Sequence, residues 1–128
     1  MIPAVQLLES CQSAFISVPF PKKEQKMIHV LATIELKPGK REDFLKRVHQ
    51  LVPKVRAEKG CLEYGPAVDV ATGLKAQIAL GENIVVIIEK WADLKDLEAH
   101  LTAPHMSEYR QEIKDMVAGT RLQVLKPV

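Results

Sequence analysis

The sequence predicts one α+β domain, in which a four-stranded and mostly antiparallel sheet carries its helices on one face. Three observations support this class: a strand pattern near residue 30, a doubly apolar strand near residue 86, and amphipathic helical patterns after each. The chain has 128 residues, 47% of them hydrophobic and 27% charged. This length and composition suit a single globular domain with its own core.

The first strand and helix are the clearest elements. Every second residue from Ile28 to Leu36 is apolar, which predicts a strand with one buried face. A turn over residues 37–40 follows. The next apolar residues share one helical face: Phe44, Leu45, Val48, Leu51, Val52 and Val55. Pro53 lies inside this pattern and predicts a kink or break, and Gly60 marks the helix end.

Two further strands are predicted before residue 92. Residues 61–72 indicate the second strand, and residues 74–80 a loop or a long hairpin arm. Residues 83–91 form the strongest strand pattern, with apolar residues on both faces.

Asp93 is a suitable N-cap for a second helix, whose predicted inner stripe consists of Leu94, Leu97 and Leu101. Pro104 suits the first position of a third helix. Gly119 is predicted to end that helix, and residues 120–126 to form the last strand.

Residues 1–26 differ in pattern from the rest and indicate an N-terminal arm, because Pro19 and Pro21 interrupt any regular element. We expect this arm to pack on its own domain or on a partner chain. The compact domain is predicted at residues 27–128, with Met27 as a candidate native start.

Charge and composition argue against several classes. The net charge is only +2, and basic residues are mixed with acidic ones without interleaved aromatics, so no nucleic-acid partner is expected. No apolar run approaches the ~20 residues of a membrane span, and no secretory signal is recognisable, so we expect no membrane partner and a cytoplasmic location. Cys11 and Cys61 lack metal-site spacing and are expected to be free thiols, with no metal bound.

The doubly apolar strand predicts self-association. Helices can cover only one face of the sheet, whereas residues 85–88 are apolar on both faces and Leu31 adds to the uncovered one. We expect a homodimer that docks sheet to sheet. The alternative is that the N-terminal arm covers this face within one chain.

Residues 27–126 resemble the antibiotic biosynthesis monooxygenase family, particularly its quinol monooxygenase members. The resemblance is carried by Lys37-Pro38-Gly39, Gly60, Glu89, Trp91, His100 and Pro104-His105. It implies a ferredoxin-like βαββαβ fold that pairs into a dimeric α/β barrel. It also implies oxidation of small quinols or phenols by O2 without metal or flavin, so no cofactor is expected.

The chain also departs from parts of the family. By position, His100 and Arg110 stand where haem-degrading members have a tryptophan and the haem-ligating histidine, which argues against haem. Of the residues that polyketide oxygenases use, only Trp91 matches, since Ile87 and Leu97 stand where an asparagine and a tyrosine would be.

The resemblance and the residue chemistry suggest three catalytic residues. Neutral His100 can accept a proton near pH 7, although it could equally be a structural histidine bonded to backbone or to Glu89. It is expected at the edge of its helix stripe, within reach of a cavity between helix and sheet. Trp91 could hold a substrate oxygen through its indole N–H while its ring stacks, or simply cap the core. Glu89, on the same strand face, is expected to orient His100.

Three further residues are candidates for substrate binding. Tyr64 could donate its phenol in the pocket or be a packing residue. His105 could line the pocket mouth or be exposed at the helix start. Arg110 could hold an anionic substrate or pair with Glu108 or Glu112.

The function predicted is cofactor-independent monooxygenation of a small quinol-like or phenolic molecule. Two alternatives remain. One is isomerisation of a small hydroxyketone or sugar phosphate with the same base. The other is a dimeric stress or small-molecule-binding protein without catalysis.

Overall fold

The computed structural model describes residues 26–128, so the predictions for the arm lie outside the described residues. Three helices and four strands follow one another along this part of the chain. They are β1 (Ile28–Leu36), α1 (Arg41–Arg56), β2 (Cys61–Ala67), β3 (Ile84–Trp91), α2 (Leu94–Leu101), α3 (Pro104–Ile113) and β4 (Val117–Leu125). None of these helices has both the length and the apolar character needed to cross a membrane.

The strands form one sheet in the order β2-β3-β1-β4, and every pairing is antiparallel. This order places the first and third strands at the centre and confirms the predicted ferredoxin-like βαββαβ fold. The register aligns Glu89 of β3 with Val30 of β1 on one side and with Tyr64 of β2 on the other. Because opposite residues in a sheet share a face, these side chains point to the same layer.

The core lies between the sheet and its helices. The residues of β1 that alternation predicts to be inward are buried, whereas Leu31 and Thr33 on the other face are half-buried. Helix α1 buries Phe44 and Val48 completely against this face. It continues unbroken past Pro53, so the predicted break is wrong. Since Pro53 is exposed while Val55 beyond it is fully buried, packing of the apolar face holds the helix together across the proline.

Several predicted boundaries and contacts are corrected. The second strand ends at Ala67, not at residue 72. The last strand begins at Val117, so Gly119 lies within it and does not end α3. In α2 the buried residues are Leu97 and His100, whereas Leu94 is 51% exposed.

The connection between β2 and β3 is closed by a side chain. Asp69 Oδ2 accepts hydrogen bonds from the backbone N–H groups of Leu80 and Gly81, at 2.8 and 2.9 Å. This carboxylate joins the two ends of the loop.

Gly60 allows α2 to approach the start of β2. Its φ is +81°, and a Cβ built there would lie 2.0 Å from Asp96 Oδ2 and 2.7 Å from the Asp96 Cβ. The Gly60 carbonyl also accepts from Ala92 N–H at 2.8 Å. The lack of a side chain at Gly60 therefore allows α2 to pack closely against the start of β2.

We predict that Gly60→Ala destabilises the fold more than Gly39→Ala. Gly39 has a similar φ of +80°, but a Cβ added there would meet nothing within 4 Å, so this variant reports backbone strain alone. We expect about 1–2 kcal/mol for Gly39→Ala and roughly 1–3 kcal/mol more for Gly60→Ala, because Asp96 must be displaced. Urea unfolding of both variants measures the difference, and equal losses would contradict it.

Candidate functional site

A cluster of polar and aromatic side chains lies between β2, β3 and α2. Tyr64, Glu89, Trp91 and His100 are each at most 5% exposed. Glu89 and Trp91 alternate along β3 on its inner face, and the register brings Tyr64 beside Glu89. The Tyr64 carbonyl accepts from Arg56 Nε at 3.0 Å, which fixes this part of β2 against the end of α1.

The imidazole of His100 packs against two rings. Its centroid lies 4.7 Å from the Trp91 ring with a 34° angle between the planes, and 5.6 Å from the Tyr64 ring, edge to face. We expected a cavity within reach of this histidine. In the structure the imidazole itself fills the space beside the indole, because α2 presses it into the core.

Glu58 is the carboxylate that orients His100. Its two oxygens lie 3.1 and 3.0 Å from His100 Nδ1. The prediction that Glu89 orients His100 is therefore corrected. The turn after α1 brings Glu58 to the imidazole, while Glu89 faces its own strand neighbour Trp91.

The same carboxylate also binds His105. Its Oε2 lies 2.5 Å from His105 Nε2, so one carboxylate bridges imidazoles from α2 and α3. Glu58 is only 13% exposed at its side chain and His105 24%. The structure thus brings His105 into the cluster as a half-buried residue. The sequence left open whether it lines a pocket mouth or is exposed at the helix start.

Glu89 accepts a hydrogen bond from the indole N–H of Trp91 at 2.9 Å. The indole N–H was expected to be available for a substrate oxygen, but it is already engaged. Burial raises the pKa of Glu89 to about 7, with the Trp91 hydrogen bond opposing the shift and the charge of Glu58 adding to it. Glu89 is consequently half-protonated near neutral pH.

Burial also shifts the other groups of the cluster. It lowers the pKa of His100, against the opposing effect of Glu58, and His105 and Arg110 lower it further. The imidazole is therefore neutral at pH 7. Burial raises the pKa of Tyr64, with the charge of Glu89 adding to the shift, so this phenol stays protonated. The cluster combines a neutral base with a neutral phenolic donor.

Arg110 lies away from the buried rings. Its guanidinium donates to the carbonyl of Leu101 at 2.6 Å, at the end of α2, and the residue is exposed. Glu112 pairs with Arg47, and among residues 26–128 no ion pair joins Arg110 to Glu108. In this structure Arg110 contacts the C-terminal end of a helix, and its binding of an anionic substrate stays a prediction.

In the part of the chain that the structure describes, the acidic, histidine and cysteine side chains do not converge on a metal site. Within residues 26–128, no group of three or more His, Cys, Asp or Glu side chains is arranged to hold a metal ion. Cys61 is a free thiol whose pKa is raised by burial, and Cys11 lies outside the described residues.

Glu58 is the residue that sequence reasoning missed. It follows the last turn of α1, and its N–H bonds to the Val55 carbonyl at 2.9 Å. A negative charge at a helix C-terminus is disfavoured by the helix dipole. That unfavourable position was the available signal that Glu58 has a specific positive or hydrogen-bonding partner.

We predict that Glu89→Gln changes the pH dependence of stability. Between about pH 4.5 and 7 the unfolded chain carries an ionised Glu89 while the folded chain keeps it protonated, so wild-type stability falls as pH rises. The variant lacks this titration and can still accept the indole N–H. Across this range we expect the wild type to lose roughly 2–4 kcal/mol relative to Glu89→Gln.

Denaturant unfolding at a series of pH values measures this difference. The matched control is Glu63→Gln on β2, since the Glu63 side chain is 58% exposed. A wild-type curve parallel to the Glu89→Gln curve would show that Glu89 ionises normally in the fold.

A family model and a curated relative both match most of this chain. The antibiotic biosynthesis monooxygenase family model matches residues 27–112. "Probable quinol monooxygenase YgiN" of Escherichia coli (strain K12) is 37% identical over 103 residues, which cover 79% of this chain and 98% of YgiN.

Two solved structures share the fold at low sequence identity. PA3566 from Pseudomonas aeruginosa has a TM-score of 0.67 and 24% identity, with 82% of this chain and 97% of that chain covered. A conserved protein from Methanosarcina mazei Go1 has a TM-score of 0.70 and 20% identity, with 83% and 97% covered. From the family match and the identity to YgiN, we conclude that this chain belongs to the antibiotic biosynthesis monooxygenase family.

Proposed function

We propose that the protein is a monooxygenase that oxidises a small quinol-like or phenolic molecule with O2, without a cofactor, and that His100 is its general base. The observation that supports this most is the buried imidazole of His100, anchored by Glu58 and packed on the Trp91 ring. Family membership and the identity to YgiN support the reaction class.

The tautomer of His100 suits a base. Nδ1 faces the Glu58 carboxylate, which favours a proton on that nitrogen and leaves Nε2 to accept one. Both hydrogen bonds that His100 makes with described side chains use Nδ1. A substrate hydroxyl that reaches Nε2 would therefore lose its proton to a neutral imidazole.

The overall reaction balances without an external reductant. A quinol with a free ring C–H and one O2 yield a hydroxyquinone and one water. One oxygen atom enters the ring as a hydroxyl group, the other leaves as water, and all four electrons come from the substrate. Deprotonation by His100 makes the substrate anion electron-rich enough to transfer an electron to O2.

Trp91 and Tyr64 would position the substrate. Because the indole N–H donates to Glu89, the part of Trp91 left for an aromatic substrate is its ring face. The protonated phenol of Tyr64 can donate to a substrate oxygen. The imidazole of His100 must then tilt away from the indole as the substrate ring enters, while Nδ1 keeps its contact with Glu58, since the side chain is only 2% exposed.

We predict that purified protein consumes O2 with one or more members of a quinol panel, and that His100→Gln lowers kcat by on the order of a hundredfold or more. Glutamine keeps a donor for Glu58 but cannot serve as a base at neutral pH. The measurement is oxygen uptake corrected for autoxidation, with His49→Gln on the exposed side of α1 as the matched control.

Product analysis separates the candidate reactions. Oxygenation leaves no hydrogen peroxide and transfers one atom of labelled O2 to the product, whereas simple quinol oxidation releases peroxide. Uptake that is absent on every quinol, or unchanged in His100→Gln, would contradict the proposed mechanism. Turnover of a hydroxyketone or sugar phosphate without oxygen would favour the isomerase alternative.

The proposed assembly is a homodimer formed through the open faces of two sheets. On the face opposite the helices, Ile88 of β3 is 42% exposed and aligns with Leu31 of β1. His29 lies on this face as well, opposite Lys90. On β4, Leu125 is 48% exposed and aligns with His29, so it adds a third apolar group to this open face. A second copy would bury these apolar groups.

We predict that the protein sediments as a dimer at micromolar concentration and that Ile88→Lys shifts it to monomer. A lysine at the centre of the apolar face would have to be buried without a partner charge. Leu94→Lys is the control, since Leu94 is similarly exposed at 51% but lies on α2. A monomeric wild type, or a dimer retained by Ile88→Lys, would count against this interface.

A further inference from the structure

We propose that Glu58 and His105 form a proton path that connects buried His100 with solvent. The inference goes one step beyond the proposed function and rests on His100 acting as its base. Its geometry is continuous: Glu58 Oε1 and Oε2 lie within 3.1 Å of His100 Nδ1, and Oε2 lies 2.5 Å from His105 Nε2. Each step is thus within hydrogen-bond distance.

Exposure increases along this series of groups. The side chain of His100 is 2% exposed, that of Glu58 13%, and that of His105 24%. His105 follows helix-opening Pro104 on α3, at the margin of the domain, and can exchange its ring protons with water. The order of exposure is the one required to move a proton outward from a buried base.

A buried base needs such a path when the proton that it takes is exchanged with solvent before the reduced oxygen is protonated to water. When Nε2 of His100 accepts a substrate proton, the imidazolium holds a second proton on Nδ1, against Glu58. Burial disfavours this charged form, as the lowered pKa of His100 indicates. Release through Nδ1 leaves a neutral ring whose Nε2 proton can pass to the reduced oxygen that leaves as water, and proton uptake along the same path then restores the Nδ1–H bond.

The transfer balances as three proton movements. The Nδ1–H bond of His100 breaks as an O–H bond forms on Glu58. That O–H bond breaks as an N–H bond forms on Nε2 of His105, in the tautomer of His105 whose ring proton lies on Nδ1. The resulting imidazolium releases its Nδ1 proton to water, and transfer of the remaining ring proton from Nε2 to Nδ1 through solvent resets the neutral tautomer. No electrons move, and the net result is one proton transferred from His100 to solvent.

A surface depression beside the carboxylate offers a competing exit. It has a volume of about 380 Å³ and is lined by Glu58, Lys59, Lys95, Asp96, Ala99 and Ala103. Water there could take the proton from Glu58 directly, without His105. Substitution of His105 therefore decides between the two routes.

The first test measures turnover of the wild type and of His105→Gln. Glutamine can keep a hydrogen bond to Glu58 but cannot carry a proton. We expect kcat to fall by on the order of tenfold or more in dilute buffer, with KM unchanged, and to recover as imidazole is added. His49→Gln, on exposed α1, should show neither effect.

The second test does not depend on turnover. Nitrogen-15 NMR of the resting protein measures how fast the His100 Nδ1 proton exchanges with water. We expect slower exchange in His105→Gln and in Glu58→Gln than in the wild type and His49→Gln. If exchange in His105→Gln equals that of the wild type, the path through His105 is wrong, whether or not any quinol is oxidised. If exchange slows but no quinol is oxidised, the path stands and the proposed reaction fails.

Discussion

The carboxylate of Glu58 joins three parts of the fold that are distant in sequence. It lies in the turn after α1, contacts His100 of α2 across 42 residues, and contacts His105 of α3 across 47. A largely buried carboxylate is costly unless its oxygens are bonded, so both helices must present their histidines to it. Because α2 buries only Leu97 and His100, this contact also decides how that short helix sits on the sheet.

The two carboxyl groups of the site have different environments. Glu58 has two imidazole partners, whereas buried Glu89 has one indole N–H and a pKa raised to about 7. Burial raises the pKa of a carboxyl group in this way. The protonated fraction of Glu89 reduces the negative charge beside Tyr64 and the rings.

Local periodicity predicted those parts of the site that lie on one strand. Alternation along β3 placed Glu89 and Trp91 on one face, and the structure buries both. It could not predict the partner of His100, because that contact depends on the turn after α1 and on the seating of α2. Apolar spacing favoured Leu94 as inward, but α2 is rotated so that His100 is inward and Leu94 exposed. The bond to Glu58 makes that rotation possible.

The closed state of the cluster bears on how a substrate could enter. Helix α2 is held at both ends, since Asp93 Oδ1 accepts from Asp96 N–H at 2.9 Å and Arg110 donates to the Leu101 carbonyl. Rotation of the His100 side chain is therefore a smaller change than release of the helix. The centroids of the His100 imidazole and the Trp91 ring lie 4.7 Å apart. A planar aromatic substrate would take the place of the imidazole there and make a similar stacking contact with the indole. In the proposed reaction, that exchange would offset part of the cost of opening and would favour flat, electron-rich rings over aliphatic ligands.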